Sequence, residues 1–108
     1  MKSDRTDHRR EFEGRGSGAT ACALCGRHCP LTFHHLIPRK VHRRARFQKH
    51  YTRDELQRGV YLCRACHRGV HRLFDEMTLA RDFNTLEALL GDEGIQRHVT
   101  WVAKQRSC

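Results

Sequence analysis

Two cysteine pairs and four histidines carry the chemistry open to this sequence. Cys22-x2-Cys25 and Cys63-x2-Cys66 each have the spacing of a knuckle turn, in which two thiolates approach one ion at about 2.3 Å. Together they offer the four sulfurs of a tetrahedral Zn²⁺ site, and four thiolates leave no open position for water, so such a zinc is structural. Gly26 follows the first pair and supplies the backbone freedom of a sharp turn. Cys29 and His28 are further donors beside that pair, and either could replace one of the four. Reduced core cysteines and a redox CxxC are the other readings of such pairs. Cys108 is expected to be unliganded. The histidines are His34-His35, His67 directly after the last knuckle cysteine, and His71 four residues later. Imidazoles at i and i+4 lie one helical turn apart on one face and can hold one metal ion.

These residues need elements to position them. Leu31-Thr32-Phe33 is a short strand-like run into His34-His35-Leu36-Ile37-Pro38, and Pro38 with the basic cluster after it marks a loop. A second strand, Val60-Tyr61-Leu62, leads into Cys63. From there Val70, Leu73, Phe74 and Met77 recur at helical spacing, so a helix starts at the second cysteine pair. Thr78 and Thr85 are candidate N-caps, and Asp92-Glu93 after Gly91 opens a last helix carrying Ile95, Val99, Trp101 and Val102. The order is knuckle, strand, loop, strand, knuckle, helix and then short helices, an α+β arrangement. A zinc at the cysteines would pin the strands to the helix start.

Composition sets the outer bounds. In 108 residues there are 21 Lys plus Arg against 12 Asp plus Glu, a formal charge of +9, with nine His and six Cys. That length allows one small domain, and a mean hydropathy of −0.76 implies a thin apolar core that a metal would help to staple. No apolar run approaches the roughly 18 residues of a membrane span, and the N-terminus has no signal-peptide apolar region. Membrane and secreted readings are thereby set aside, and with them most of the case for disulfides. A cytoplasmic location is expected. Residues 1–18 carry five basic and four acidic residues and almost no apolar surface, so they are read as a flexible tail. The positive charge of the remainder points to a polyanionic partner.

The combined pattern resembles the HNH nuclease family. It runs Cys22-Ala-Leu-Cys25, His34-His35-Leu36-Ile37-Pro38, then Leu62-Cys63-Arg-Ala-Cys66-His67-Arg-Gly-Val-His71, covering residues 22–71. The resemblance implies a zinc-stapled ββα-metal unit over residues 19–75 with a helical extension over 76–108. By the same resemblance His34, His67 and His71 would be ligands of a catalytic divalent ion (Mg²⁺, Mn²⁺, Ni²⁺ or Zn²⁺), and His35 would be the general base. The roles of His34 and His35 could be exchanged. One element departs from the family: its central Asn, which orients the base, has no counterpart before the second cysteine pair. The chain's one Asn is Asn84, and His42, His50 or Gln57 could offer the hydrogen bond instead.

Residues 39–53 contain seven basic residues and no acid: Arg39, Lys40, Arg43, Arg44, Arg46, Lys49 and Arg53. Lying between the two halves of the histidine site, they are read as phosphate contacts, with Phe47 and Tyr51 either stacking on bases or packing on the domain. A solvated charged face is the plainer reading. In the extension, Leu79, Phe83, Leu86, Leu89, Leu90, Ile95, Val99, Trp101 and Val102 are expected to cover the small unit, with Trp101 packed. The function expected is a metal-dependent endonuclease acting on nucleic acid, DNA ahead of RNA, with a nucleic-acid-binding module that does not cut as the alternative. An adaptor using the tail helices is a third reading.

Overall fold

Two extended runs flanking the basic block pair to form the sheet that carries the site. The structure is a computed structural model and describes residues 12–13 and 20–108. Three strands, β1 (Phe12–Glu13), β2 (Leu31–His35) and β3 (Arg58–Cys63), form an antiparallel sheet in the order β1-β3-β2. The register of β2 on β3 sets Thr32 opposite Leu62, His34 opposite Val60 and His35 opposite Gly59. Phe12 and Glu13 pair with Gly59 and Arg58 on the far edge of β3. This corrects part of the expected tail: a bare strand edge leaves amides and carbonyls unpaired, and two residues of the N-terminal stretch occupy it. The rest of that stretch, 1–11 and 14–18, lies outside the described residues, as does Ala19.

The basic block is not a loop. A 3-10 turn (Arg39–Val41) is followed by helices α1 (Ala45–His50) and α2 (Arg53–Leu56). Val41, Phe47 and Leu56 are buried there with Ile37 and Ala80 in a small apolar cluster of their own. Those anchors fold the segment and leave its seven cationic side chains exposed. Phe47 is 2% exposed and stacks on Tyr51, so it packs on the domain and is not open to a base. Thr52 and Glu55 close a reciprocal capping box on α2.

Helix α3 (Arg64–Leu73) starts at Cys63, as the spacing predicts, and is followed by α4 (Glu76–Asp82), α5 (Leu86–Leu90) and α6 (Glu93–Ala103). Asp75, not Thr78, caps α4: its carboxylate accepts the Thr78 amide at 2.8 Å, because the helix begins three residues earlier than expected. Thr85 and Asp92 cap α5 and α6 as expected. Leu79, Leu86, Leu89, Ile95 and Val102 share one buried cluster with Val60, Leu62, Cys66 and Val70, so residues 76–108 pack directly on the sheet and α3. Trp101 departs from that pattern. It is 57% exposed, because Ile95 and Val102 take the core face of α6 and Trp101 falls beside it.

Helices α3 and α6 approach closely at Gly69, where a Cβ would collide with the His98 imidazole; that ring meets the Ala65 carbonyl at 2.9 Å. The end of α6 reaches the first knuckle, where the Arg27 guanidinium donates to the Val102 carbonyl at 3.1 Å. This contact brings the C-terminus near Cys29, and Cys29 and Cys108 form a disulfide across 79 residues of sequence. The disulfide corrects the expectation that set disulfides aside, and it withdraws Cys29 from the candidate metal ligands. Cys108, as expected, is not among the grouped metal donors. Among the described residues, no helix is long and apolar enough to cross a membrane.

Candidate metal centres

The first centre is built by two turns tied to one strand. In the first knuckle the Gly26 amide donates to the Cys22 carbonyl at 2.9 Å, and Gly26 turns the chain at φ +79°. The Ala23 amide donates to Tyr61 at 2.9 Å, which docks that turn on β3. β3 itself ends at Cys63, and α3 places Cys66 in its first turn. The sulfurs of Cys22, Cys25, Cys63 and Cys66 all lie within 4.8 Å of one another, and those of Cys25 and Cys63 are 3.8 Å apart. A tetrahedron with Zn–S near 2.3 Å has sulfur–sulfur edges of about 3.8 Å, so this cluster can hold one zinc ion. His28 is exposed and its Nδ1 meets the Thr20 carbonyl, outside the cluster.

Without a cation the four sulfurs cannot all be thiolates. A hydrogen bond from Cys66 pulls Cys22 down to about 4. The same bond, then burial, pushes Cys66 up. Burial raises Cys25 to about 11. A divalent ion offsets this mutual repulsion, and the N-terminal end of α3 adds a favourable dipole at Cys63 and Cys66.

The second centre joins β2 to α3. His34, His67 and His71 present ring nitrogens within 4.8 Å of one another, with ring centroids 5.1 Å (His34–His67), 5.3 Å (His34–His71) and 5.1 Å (His67–His71) apart. His34 is 1% exposed, and its Nε2 is a buried polar atom with no hydrogen-bond partner. Such an atom is costly unless something accepts its lone pair or proton. Burial, followed by the neighbouring histidines, lowers His34 to about 3 and His67 to about 4. Both are therefore neutral near pH 7, the form in which imidazole binds a metal.

Thr32 decides which nitrogen of His67 is free. Its hydroxyl has one hydrogen, donated to the Leu62 carbonyl at 2.9 Å. At 2.7 Å from His67 Nδ1 it must then accept, so Nδ1 carries the proton and Nε2 keeps its lone pair. The sequence reading placed Thr32 in the strand and missed this role. The signal was its position two residues before His34, on the same strand face. The trio opens on one side, where Thr32, Arg64, His67, Arg68 and His71 line a shallow depression. Arg64 and Arg68 were also missed, although they flank His67 on the helix.

His35 stands outside the trio. Alternation along β2 turns it to the other sheet face, where its ring meets Phe33 edge-on at 4.9 Å and lies 5.7 Å from the His42 ring. Of the three stand-ins for an Asn, His42 is the one beside His35, and its Nε2 meets the Ile37 carbonyl. His50 and Gln57 are exposed. Asn84 donates to the Tyr51 hydroxyl and the Ala80 carbonyl, so it is tied to the edge of the second apolar cluster. Of the basic residues, Arg39 and Lys40 lie in the 3-10 turn, Arg43 and Arg44 before α1, Arg46 and Lys49 on α1, and Arg53 at the start of α2. Lys40 is 4.0 Å from Glu76, and the Arg46 guanidinium lies over the Phe47 ring.

No family model and no solved structure matches the chain. It is similar to the protein of Bacillus subtilis (strain 168) that bears the name Uncharacterized protein YisB, with 31% identity over 93 residues that span 81% of this chain and 77% of that protein. At that identity and coverage, the chain belongs to the same family as YisB.

Proposed function

We propose that the protein is a metal-dependent endonuclease of HNH type that hydrolyses phosphodiester bonds of nucleic acid, held in shape by a zinc at Cys22, Cys25, Cys63 and Cys66. The observation that carries this reading is the buried, unpartnered Nε2 of His34 grouped with His67 and His71 at an open basic depression. A divalent ion at the trio supplies charge stabilisation to a phosphate and its leaving oxygen. His34, His67 and His71 hold that ion, and Thr32 keeps His67 in the ligating tautomer. Arg64 and Arg68 orient the phosphate by charge-assisted hydrogen bonds. His35, the last residue of β2 and within electrostatic reach of His34 and His67, takes a proton from the attacking water at the strand end, with His42 beside it. The test is plasmid nicking by the full chain with Mg²⁺, Mn²⁺, Ni²⁺ or Zn²⁺ at low salt. Cutting with at least one ion supports the reading. Binding without cutting under all four overturns it in favour of a zinc-stapled nucleic-acid-binding module, which the placement of His35 on the opposite strand face from the trio favours.

Two expectations follow from named residues. Thr32→Val keeps shape and removes the acceptor for His67 Nδ1, so affinity of the trio for its ion is expected to fall roughly 10–100-fold. Competition titration with a chromogenic chelator measures it, while circular dichroism stays native; unchanged affinity would remove Thr32 from the site. Replacing Arg43, Arg44 and Arg46 with Ala is expected to weaken binding to all sequences alike. The slope of log K against log salt should flatten by about one for each lost phosphate contact. An unchanged slope returns the segment to a solvated face.

A further inference from the structure

Helix α6 exposes the chain's single tryptophan on a face the nuclease reading does not use. Trp101 is 57% exposed, with its indole 5.9 Å from the His98 ring. Around it, Glu93, Gln96, Arg97, Thr100 and Lys104 line a shallow depression. Glu93 is the one acid there, against two cations.

The helix packing says where this face lies. On α3, Ala65 and Gly69 form the seam with His98, and Cys66 and Val70 point to the core. At 100° per residue, Arg64, Arg68 and Arg72 fall on the solvent side of that seam, between it and His67 and His71. On α6, His98 and Gly94 form the seam, the latter against Leu73, and Ile95 and Val102 point to the core. Arg97, Trp101 and Lys104 therefore fall on its solvent side too. Both exposed stripes border one seam, so cationic surface runs from the histidine trio across α3 to the indole.

An indole left in water beside guanidinium and ammonium groups fits a ligand with both a flat π face and negative charge. We infer that Trp101 is a stacking platform for an unpaired base, with Arg97 and Lys104 contacting its phosphates, so that the protein engages single-stranded or locally opened nucleic acid along α3 and α6. This deepens the reading of the site as a nucleic-acid enzyme and rests on it only for what happens after binding. The interior of a duplex offers no free base face, because each pair is covered on both sides by its neighbours, whereas every unpaired base offers one.

The single tryptophan reports on its own occupancy. The full chain, without added divalent ion, is titrated with a short oligo(dT) strand and with a duplex, following indole fluorescence and the anisotropy of the labelled nucleic acid. The strand is expected to quench the indole, and Trp101→Ala is expected to lose roughly 5- to 150-fold in affinity for it, the range for one stacked base. Trp101→Phe, which keeps a stacking face, should recover most of that loss. Saturation of anisotropy with unchanged fluorescence, or equal strand affinity in wild type and Trp101→Ala, overturns the inference. So does concentration-dependent burial of the indole without nucleic acid, which would assign the face to a second copy of the chain. Quenching without cutting by any ion would leave the stacking platform standing and sink the nuclease reading, and cutting without quenching would do the reverse.

Discussion

Cys63→Ser is expected to release zinc and to unfold the whole described core. Cys63 closes β3 and opens α3, so its sulfur binds both ends of the site to one ion. Structural zinc sites contribute an apparent binding free energy of about 10–16 kcal/mol, against a total stability of roughly 5–15 kcal/mol for an ordinary domain. Loss of one thiolate therefore removes an amount comparable to all of it. Because Leu79, Leu86, Ile95 and Val102 share the cluster that contains Cys63 and Cys66, helices α4 to α6 should melt together with the sheet. Zinc stoichiometry read beside far-ultraviolet circular dichroism checks this. A mutant with native ellipticity and no bound zinc would show that the cysteines do not staple the fold.

The second large effect separates base from ligand. His35→Ala is expected to keep the bound ion and nucleic-acid affinity and to lower cleavage on the order of 10²–10⁴-fold, the contribution of a general base. His67→Ala removes a ligand and should lose ion affinity and cleavage together, leaving the zinc at the cysteines in place. Nicking rates and divalent-ion titrations on the two variants give the comparison. Equal cutting by His35→Ala and wild type would mean that another group takes the proton, and ion loss in His35→Ala would mean that His35 is a ligand.

Much of the site was legible because its parts are local. A knuckle is set by two cysteines three residues apart and the glycine after them, and the His67–His71 pair is set by helical periodicity, so spacing alone reads both. The four-cysteine set was legible too, although withdrawing Cys29 needed the disulfide to Cys108, which joins residues 79 apart in sequence. The α+β order of strand, strand and helix followed from short apolar runs and turn residues. What remained open depended on register and on faces. His34 and His35 are equivalent as letters; the pairing of His34 with Val60 on the buried sheet face turns His34 toward α3 and His35 away. Thr32 gains its role from the same register, and from a Leu62 carbonyl 30 residues away that uses up its only hydrogen. The basic block folds as helices because Phe47 and Leu56 find Ile37 and Ala80, a contact between distant segments. Trp101 ends outside the core for a similar reason: the helical repeat names the apolar residues of α6, but only the position of α3 chooses which of them are covered.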